Sequence, residues 1–244
     1  METERRISME LTEKYRYEPK CRHELKYQIS RSDYLSIGRR IKTVMKTDSH
    51  ADENGRYAIY SIYFDNVYDK ALLEKVNGVQ KREKFRIRYY NNDFSFISLE
   101  KKAKYNDLCI KESVRLSKDE FNSILSGAGE WMKRHPSSLV KELYCKMKIQ
   151  QLRPRVLVSY VREAYIYAPG NVRVTFDSDI RTSLFVRAFA NNDFGGVGAT
   201  DKAGDIILEV KFDDFLPDVI AKLIQTGNAR QQAFSKYCAC RRFG

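Results

Sequence analysis

Between residues 22 and 29, apolar Leu25, Tyr27 and Ile29 alternate with Arg22, Glu24, Lys26 and Gln28. That period of two is the mark of a β-strand with one apolar and one charged face. The period then lengthens: Tyr34, Leu35, Ile37, Ile41 and Val44 recur at helical spacing after Ser30 and Ser32, which predicts a helix over 31–46 and a polar loop over 47–55. A strand at 57–64 and a helix at 65–76 follow, the helix closed by Asn77-Gly78 because a glycine accepts the left-handed turn past a helix end. Alternating runs at 83–91, 94–102 and 108–116, separated by turn residues, predict an antiparallel meander. Ser117 and Glu120 match a capping box opening a helix to about Leu125, with Gly127 as its stop, and a second helix is expected at 137–150. Strands resume at 155–167, 171–177 and 205–212, with a glycine-rich interval at 191–204, and helices near 217–226 and 230–240 close the chain. Residues 1–20 are polar without a period and predict an N-terminal arm. No repeat, long linker or low-complexity tract interrupts 21–244, which predicts a single α+β domain.

Sorting the charged residues by strand phase changes the picture. Glu24 shares a face with Lys26, Arg86 with Arg88, Glu100 with Lys102, Arg173 with Thr175 and Asp177, and Glu209 with Lys211. The opposite phases carry Leu25 and Tyr27, then Phe85, Ile87 and Tyr89, then Val172, Val174 and Phe176, then Leu208, Val210 and Phe212. A half-exposed sheet gives the same alternation, with its charges in water. It does not account for polar faces built so uniformly from Arg and Lys with a few acids. If those faces line the inside of a barrel, the cations repel one another unless an anion fills the space, and a run of phosphates suits it. The acids Glu24, Glu100 and Glu209 then balance charge or hold a divalent ion against phosphate oxygens.

Composition supports a polyanionic partner. The 244 residues carry a formal net charge of +12, which nucleic acid, an anionic membrane or polyphosphate would each match. Nucleic-acid-binding sheets interleave exposed aromatics with cations on one face, whereas here the two occupy opposite faces, so no nucleic-acid partner is expected. No apolar run reaches the roughly 20 residues that span a bilayer, and the first residues have no signal-like apolar core, so a cytoplasmic protein is expected. The five cysteines form no CxxC pair and are expected to be structural thiols. His23, in the apolar phase, is expected to pack rather than react. Phe194-Gly195-Gly196-Val197-Gly198 lacks the Gly-Lys-Ser/Thr of a phosphate loop and is expected to be a plain loop.

A set of fragments, in order, resembles the VTC domain of the triphosphate tunnel (CYTH-like) superfamily over 20–242: Arg22-His23-Glu24-Leu25-Lys26-Tyr27, Tyr63-Phe64-Asp65-Asn66, Arg86-Ile87-Arg88-Tyr89, Glu100-Lys101-Lys102 with Lys111, Tyr160-Val161-Arg162, the strand from Arg173 to Asp177, Leu208-Glu209-Val210-Lys211, and Phe234-Ser235-Lys236. The resemblance implies an antiparallel β-barrel tunnel flanked by helices. It also implies transfer of the ATP γ-phosphate to a growing inorganic polyphosphate chain, with Mn2+ or Mg2+ as cofactor. It would give Lys26, Arg86, Arg88, Arg162 and Lys236 catalytic roles, Lys102, Lys111, Arg173 and Lys211 phosphate binding, and Glu209 the metal, with Glu24 and Glu100 as lesser ligands. ATP and polyphosphate or pyrophosphate would be the small-molecule partners. A separate membrane protein is a further candidate partner, which would hold the chain at the inner face of the membrane. Arg22 stands where the hydrolase and cyclase branches have the first Glu of Glu-x-Glu-x-Lys. That departure should weaken two-metal water activation and strengthen anion binding, ranking polymer synthesis above metal-dependent triphosphatase activity or a non-catalytic polyanion-binding module.

Overall fold

The computed structural model describes residues 22–105, 108–183, 197–199, 206–226 and 229–242. The expected arm at 1–20 and residues 194–196 of the glycine-rich stretch lie outside them. Ten strands form one sheet: β1 (His23–Ile29), β2 (Lys46–Thr47), β3 (Arg56–Asp65), β4 (Lys81–Tyr90), β5 (Asp93–Tyr105), β6 (Leu108–Leu116), β7 (Arg153–Tyr167), β8 (Val172–Ser183), β9 (Val197–Gly198) and β10 (Ile206–Phe212). The main order is β1-β10-β8-β7-β3-β4-β5-β6, with β2 added to β7 and β9 to β8, and every pairing is antiparallel. Among the described residues six helices accompany the sheet: α1 (Arg31–Ile41), α2 (Lys70–Val76), α3 (Lys118–Ser126), α4 (Ser138–Ile149), α5 (Asp218–Leu223) and α6 (Lys236–Arg242). None of the described helices is long and apolar enough to cross a membrane.

The alternation along the chain becomes two faces of one sheet. The apolar phases of β1, β8 and β10 bury Val174, Phe176, Leu208 and Val210 beneath α1 and α5. Those of β4 and β5 bury Phe85, Ile87, Tyr89 and Leu99 beneath α3 and α4. Burying such side chains contributes roughly 1.5–3 kcal/mol each, so these helices hold the apolar face outward-covered and leave the charged phases on the other.

The sheet curls toward its charged face. In a flat sheet β1 and β5, six strand spacings apart, would lie about 29 Å from each other. Yet Glu24 of β1 and Lys102 of β5 approach to 3.7 Å across the charged face. The curl stops short of closure, because β1 and β6 are not hydrogen-bonded to each other. The expected barrel is therefore an open one, bridged by side chains. The free edge of β1 is covered instead by residues after α5: Gln231 bridges Tyr27, and the Gln232 amide donates to the Lys26 carbonyl at 3.0 Å. That pairing keeps 229–235 extended, so the last helix begins at Lys236 and not at 230 as expected.

Other boundaries moved for local reasons. The first helix ends at Ile41 because Lys46 and Thr47 pair with β7. The expected helix at 65–76 begins only at Lys70, since Asp65 ends β3 and its carboxylate accepts the Ala71 and Leu72 amides at 2.9 and 3.2 Å. Ser117 forms its capping box with Glu120, and Gly127 takes a φ of 82°. A 3-10 turn at Glu130–Arg134 carries no pattern that announced it.

Candidate functional site

Register places the strand residues given candidate roles above on the same concave face. Glu24 and Lys26 of β1 stand opposite Lys211 and Glu209 of β10, and Lys211 stands opposite Arg173 of β8. Asp177 of β8 faces Arg162 of β7. Farther around, Arg86 and Arg88 of β4 face Tyr63 and Ser61 of β3, Arg86 faces Glu100 of β5, and Lys102 of β5 lies between Lys84 and Lys111. Part of this face is apolar and already filled: Tyr237 and Cys240 of α6 pack on Ile59, Tyr63, Val156, Val158 and Ile207. Alternation alone did not reveal that a helix enters the curl.

Three ionic groups result. The deepest is Asp177, fully buried, which accepts Nε and Nη2 of Arg162 at 2.6 and 2.7 Å and pairs with Lys236 Nζ at 2.5 Å. Lys236 also lies over the Tyr160 ring, 4.8 Å from its centroid. The Phe234-Ser235-Lys236 sequence explains that placement. The Ser235 carbonyl and hydroxyl accept the Ala239 and Cys238 amides at the start of α6, Lys236 reaches inward, and the Phe234 carbonyl accepts Lys26 Nζ at 3.3 Å.

The second group joins Glu24 and Glu209. Lys26 lies 2.7 Å from Glu24 and 3.9 Å from Glu209, Lys211 pairs with Glu209, and Lys102 approaches Glu24. Burial opposes ionisation of Glu209, but Lys211, Lys26, Lys236 and Arg162 outweigh it and hold its pKa well below the usual range. Both carboxylates are thus ionised and mutually close, each raising the other's cost of charge.

In the third group Arg86 donates to Glu100 at 2.7 Å and to the Tyr63 hydroxyl at 3.1 Å, while Lys111 pairs with Glu100 at 3.0 Å. Burial resists the Glu100 charge, but Arg86, Arg88 and Lys111 bring its pKa to about 2. Among the described residues Arg88 hydrogen-bonds only to neutral oxygens, Ser61 Oγ and Tyr160 Oη, both at 3.3 Å. Lys84, Arg86, Glu100, Lys102 and Lys111 border an open recess. Arg173 lies toward the other end, bonded to Asp48 at 2.5 Å and Tyr57 at 2.9 Å.

Several participants were missed. Lys84 sits two residues before Arg86, so strand phase alone could have found it. Asp48 is a loop residue with no periodic signal. Arg22 corrects an expectation: its guanidinium donates to the Asn171 carbonyl at 2.8 Å and lies 3.6 Å from Asp213, so it ties down the sheet end and is not spent on an anion. His23 stacks on Phe212 with ring centroids 5.1 Å apart, as a packing residue would.

Residues 21–243 match the family model of the VTC domain. The chain belongs to the VTC domain family. None of the curated proteins matches its sequence. Among solved structures, a Bacillus halodurans protein provisionally named an adenylate cyclase is 19% identical, with a TM-score of 0.47 over 77% of this chain and 78% of its own. A conserved hypothetical protein from Pyrococcus furiosus is 12% identical, with a TM-score of 0.41 over 83% and 85%. The PH1012 protein of Pyrococcus horikoshii is 15% identical, with a TM-score of 0.38 over the same shares.

For a divalent ion, this VTC domain offers Glu24 and Glu209 as a pair. Among the described residues no cluster of three or more His, Cys, Asp or Glu side chains is poised to hold a metal. Two ionised carboxylates fit Mg2+ or Mn2+ where phosphate oxygens and water complete the shell. Glu100 stands apart, already held by Arg86 and Lys111.

The cation surplus sets a pH dependence. Burial disfavours the Tyr63 phenolate, but Arg86, Lys84 and Arg88 prevail and bring its pKa down to about 7. Burial disfavours the Lys84 ammonium, Tyr63 favours it, and Arg86, Lys102 and Lys26 oppose it, leaving a pKa of about 8. An anion bound here favours the protonated form of both groups, so it must lose affinity as each proton leaves. Affinity for a polyanionic probe that stays fully ionised throughout is expected to weaken as pH rises through about 7 and again through about 8. Titration calorimetry across that range checks it, with Tyr63→Phe expected to leave one step, that of Lys84, moved to lower pH. A flat affinity would mean that neither group faces the ligand.

Proposed function

We propose that this VTC domain transfers the terminal phosphate of ATP onto a growing inorganic polyphosphate chain lying in the curled face. The observation that carries the reading is the convergence of Lys26, Arg86, Arg88, Arg162 and Lys236, from three strands and one helix, on one concave surface where cations outnumber carboxylates. Phosphoryl transfer needs in-line positioning and neutralisation of the oxygens of the transferring group, which such a surface supplies without a protein nucleophile. Lys102, Lys111, Arg173 and Lys211 extend the surface on either side and hold the rest of the chain. Glu209 with Glu24 would hold Mn2+ or Mg2+, which would neutralise phosphate charge when bound. Arg22, turned away to Asp213, supplies no third carboxylate for a second ion, which favours transfer to phosphate over hydrolysis. A membrane protein partner at the cytoplasmic face would receive the product.

The test is incubation of the purified chain with ATP and Mn2+ and detection of polymer on a gel. Polymer that lengthens with time is expected. Phosphate release from tripolyphosphate without polymer would replace this reading with a triphosphatase, and tight polyphosphate binding without turnover would replace it with a binding module.

A further inference from the structure

Like charges directly opposite one another in a sheet destabilise it. On the outer, helix-covered face the chain avoids this: Lys101 pairs with Glu142 at 2.6 Å and lies 3.7 Å from Glu83 and 3.6 Å from Glu112. On the concave face it does the opposite. Lys84, Lys102 and Lys111 form one row across β4, β5 and β6, and in the next row Arg82 stands directly opposite Lys104. Among the described residues neither Arg82 nor Lys104 ion-pairs with any carboxylate; Arg82 donates only to the Val79 carbonyl. The helix α2, which carries Lys75, packs on β4 and α6. Burial lowers the Lys75 pKa, and Arg82 lowers it further, with Lys26 and Lys104 adding to the effect against Cys238. Lys75 therefore sits in the field of these cations.

These side chains lie beyond the residues given phosphate-binding roles above. Arg88 and Arg82 are six residues apart on one strand, about 20 Å along it. Three phosphates joined through single oxygens are too short to touch both. We propose that Lys75, Arg82 and Lys104 form an outer anion subsite that takes phosphates of a linear polyphosphate beyond those at Arg86, Arg88 and Arg162, so that the ligand of this face is a long chain and not a triphosphate. This rests on the reading of the face as a polyphosphate site. A row of unopposed cations at the end of the curl has a ready occupant only if the anion continues past the inner rows.

The experiment measures binding of two probes, tripolyphosphate and a linear polyphosphate several times longer, to the wild type and to a Lys75→Gln, Arg82→Gln, Lys104→Gln triple variant. The variant is expected to bind the long chain at least about tenfold more weakly, with a flatter salt dependence, and tripolyphosphate unchanged. A Lys75→Arg, Lys104→Arg variant, which keeps the charge, should bind the long chain like wild type. Equal weakening of both probes, or of neither, overturns the outer subsite while leaving the inner site standing. If the wild type binds neither probe, the polyphosphate reading itself falls.

Discussion

Asp177→Asn is expected to lower the stability of the fold by about 3–5 kcal/mol. The substitution keeps the volume and some of the hydrogen bonding but removes the charge that two cations share. Asp177 is fully buried, and the side chains of Arg162 and Lys236 are only 10% and 11% exposed. Burial resists the Asp177 charge, and Arg162 and Lys236 outweigh it, so its pKa is lowered in the folded state. A carboxylate so depressed contributes stability above its unfolded pKa, and that contribution is lost as pH falls through the folded value. The variant should therefore lose stability at neutral pH and also lose this part of the acid-denaturation limb. Without the carboxylate, Arg162 and Lys236 are left almost wholly desolvated beside each other, and α6 loses the ionic tie that seats Lys236 in the curl. Denaturant unfolding at neutral pH checks this through a lower midpoint at an unchanged m-value. A loss under about 1 kcal/mol would show that water reaches the pair and that the triad is not the anchor of the helix.

The reason Asp177 was placed on the charged face from sequence, yet given no role, shows what strand patterns disclose. Period-two alternation fixed the faces of β1, β4, β5, β8 and β10 because each packs helices on one side and leaves charges on the other. It therefore put Lys26, Arg86, Arg88, Lys102, Arg173 and Glu209 on one surface before any geometry was known. Pairing is another matter. Whether Arg162 faces a phosphate or an acid depends on which strand lies beside β7, and β8 reaches that position by register that alternation does not contain. The central strand β3 reads as a nearly continuous apolar run, since helices cover one side and α6 the other, and this hid the fact that part of the concave face is core. The start of α6 was misjudged for a similar reason. Residues 229–235 carry no strand pattern and are held extended by the edge of β1, a contact between segments about 200 residues apart. Caps were legible because they are local: Ser117 with Glu120, and Gly127, act within a few residues.

Arg88→Met is expected to reduce the rate of polymer formation by about 10²–10³ with little change in stability. The two arginines of β4 differ in what already holds them. Arg86 is engaged by Glu100 and Tyr63, so removing it also strands an ionised carboxylate beside Lys111, and both stability and activity should suffer. Arg88 is positioned by Ser61 and Tyr160 through neutral oxygens at 3.3 Å, and no carboxylate among the described residues ion-pairs with it. Its orientation is set while its charge stays available, which is the arrangement that a donor aimed at developing negative charge requires. Methionine keeps the stem volume without the charge, so the unfolding midpoint should stay close to wild type. Steady-state kinetics then separates two roles. A fall in kcat with KM unchanged puts Arg88 on the transferring phosphoryl group, whereas a rise in KM alone puts it on a part of the chain that does not react. Arg88→Lys should recover only part of the loss, because an ammonium offers a point charge where a guanidinium offers a fork. Wild-type turnover in Arg88→Met would mean that the unneutralised charge of Arg88 is aimed at something other than the reacting phosphate.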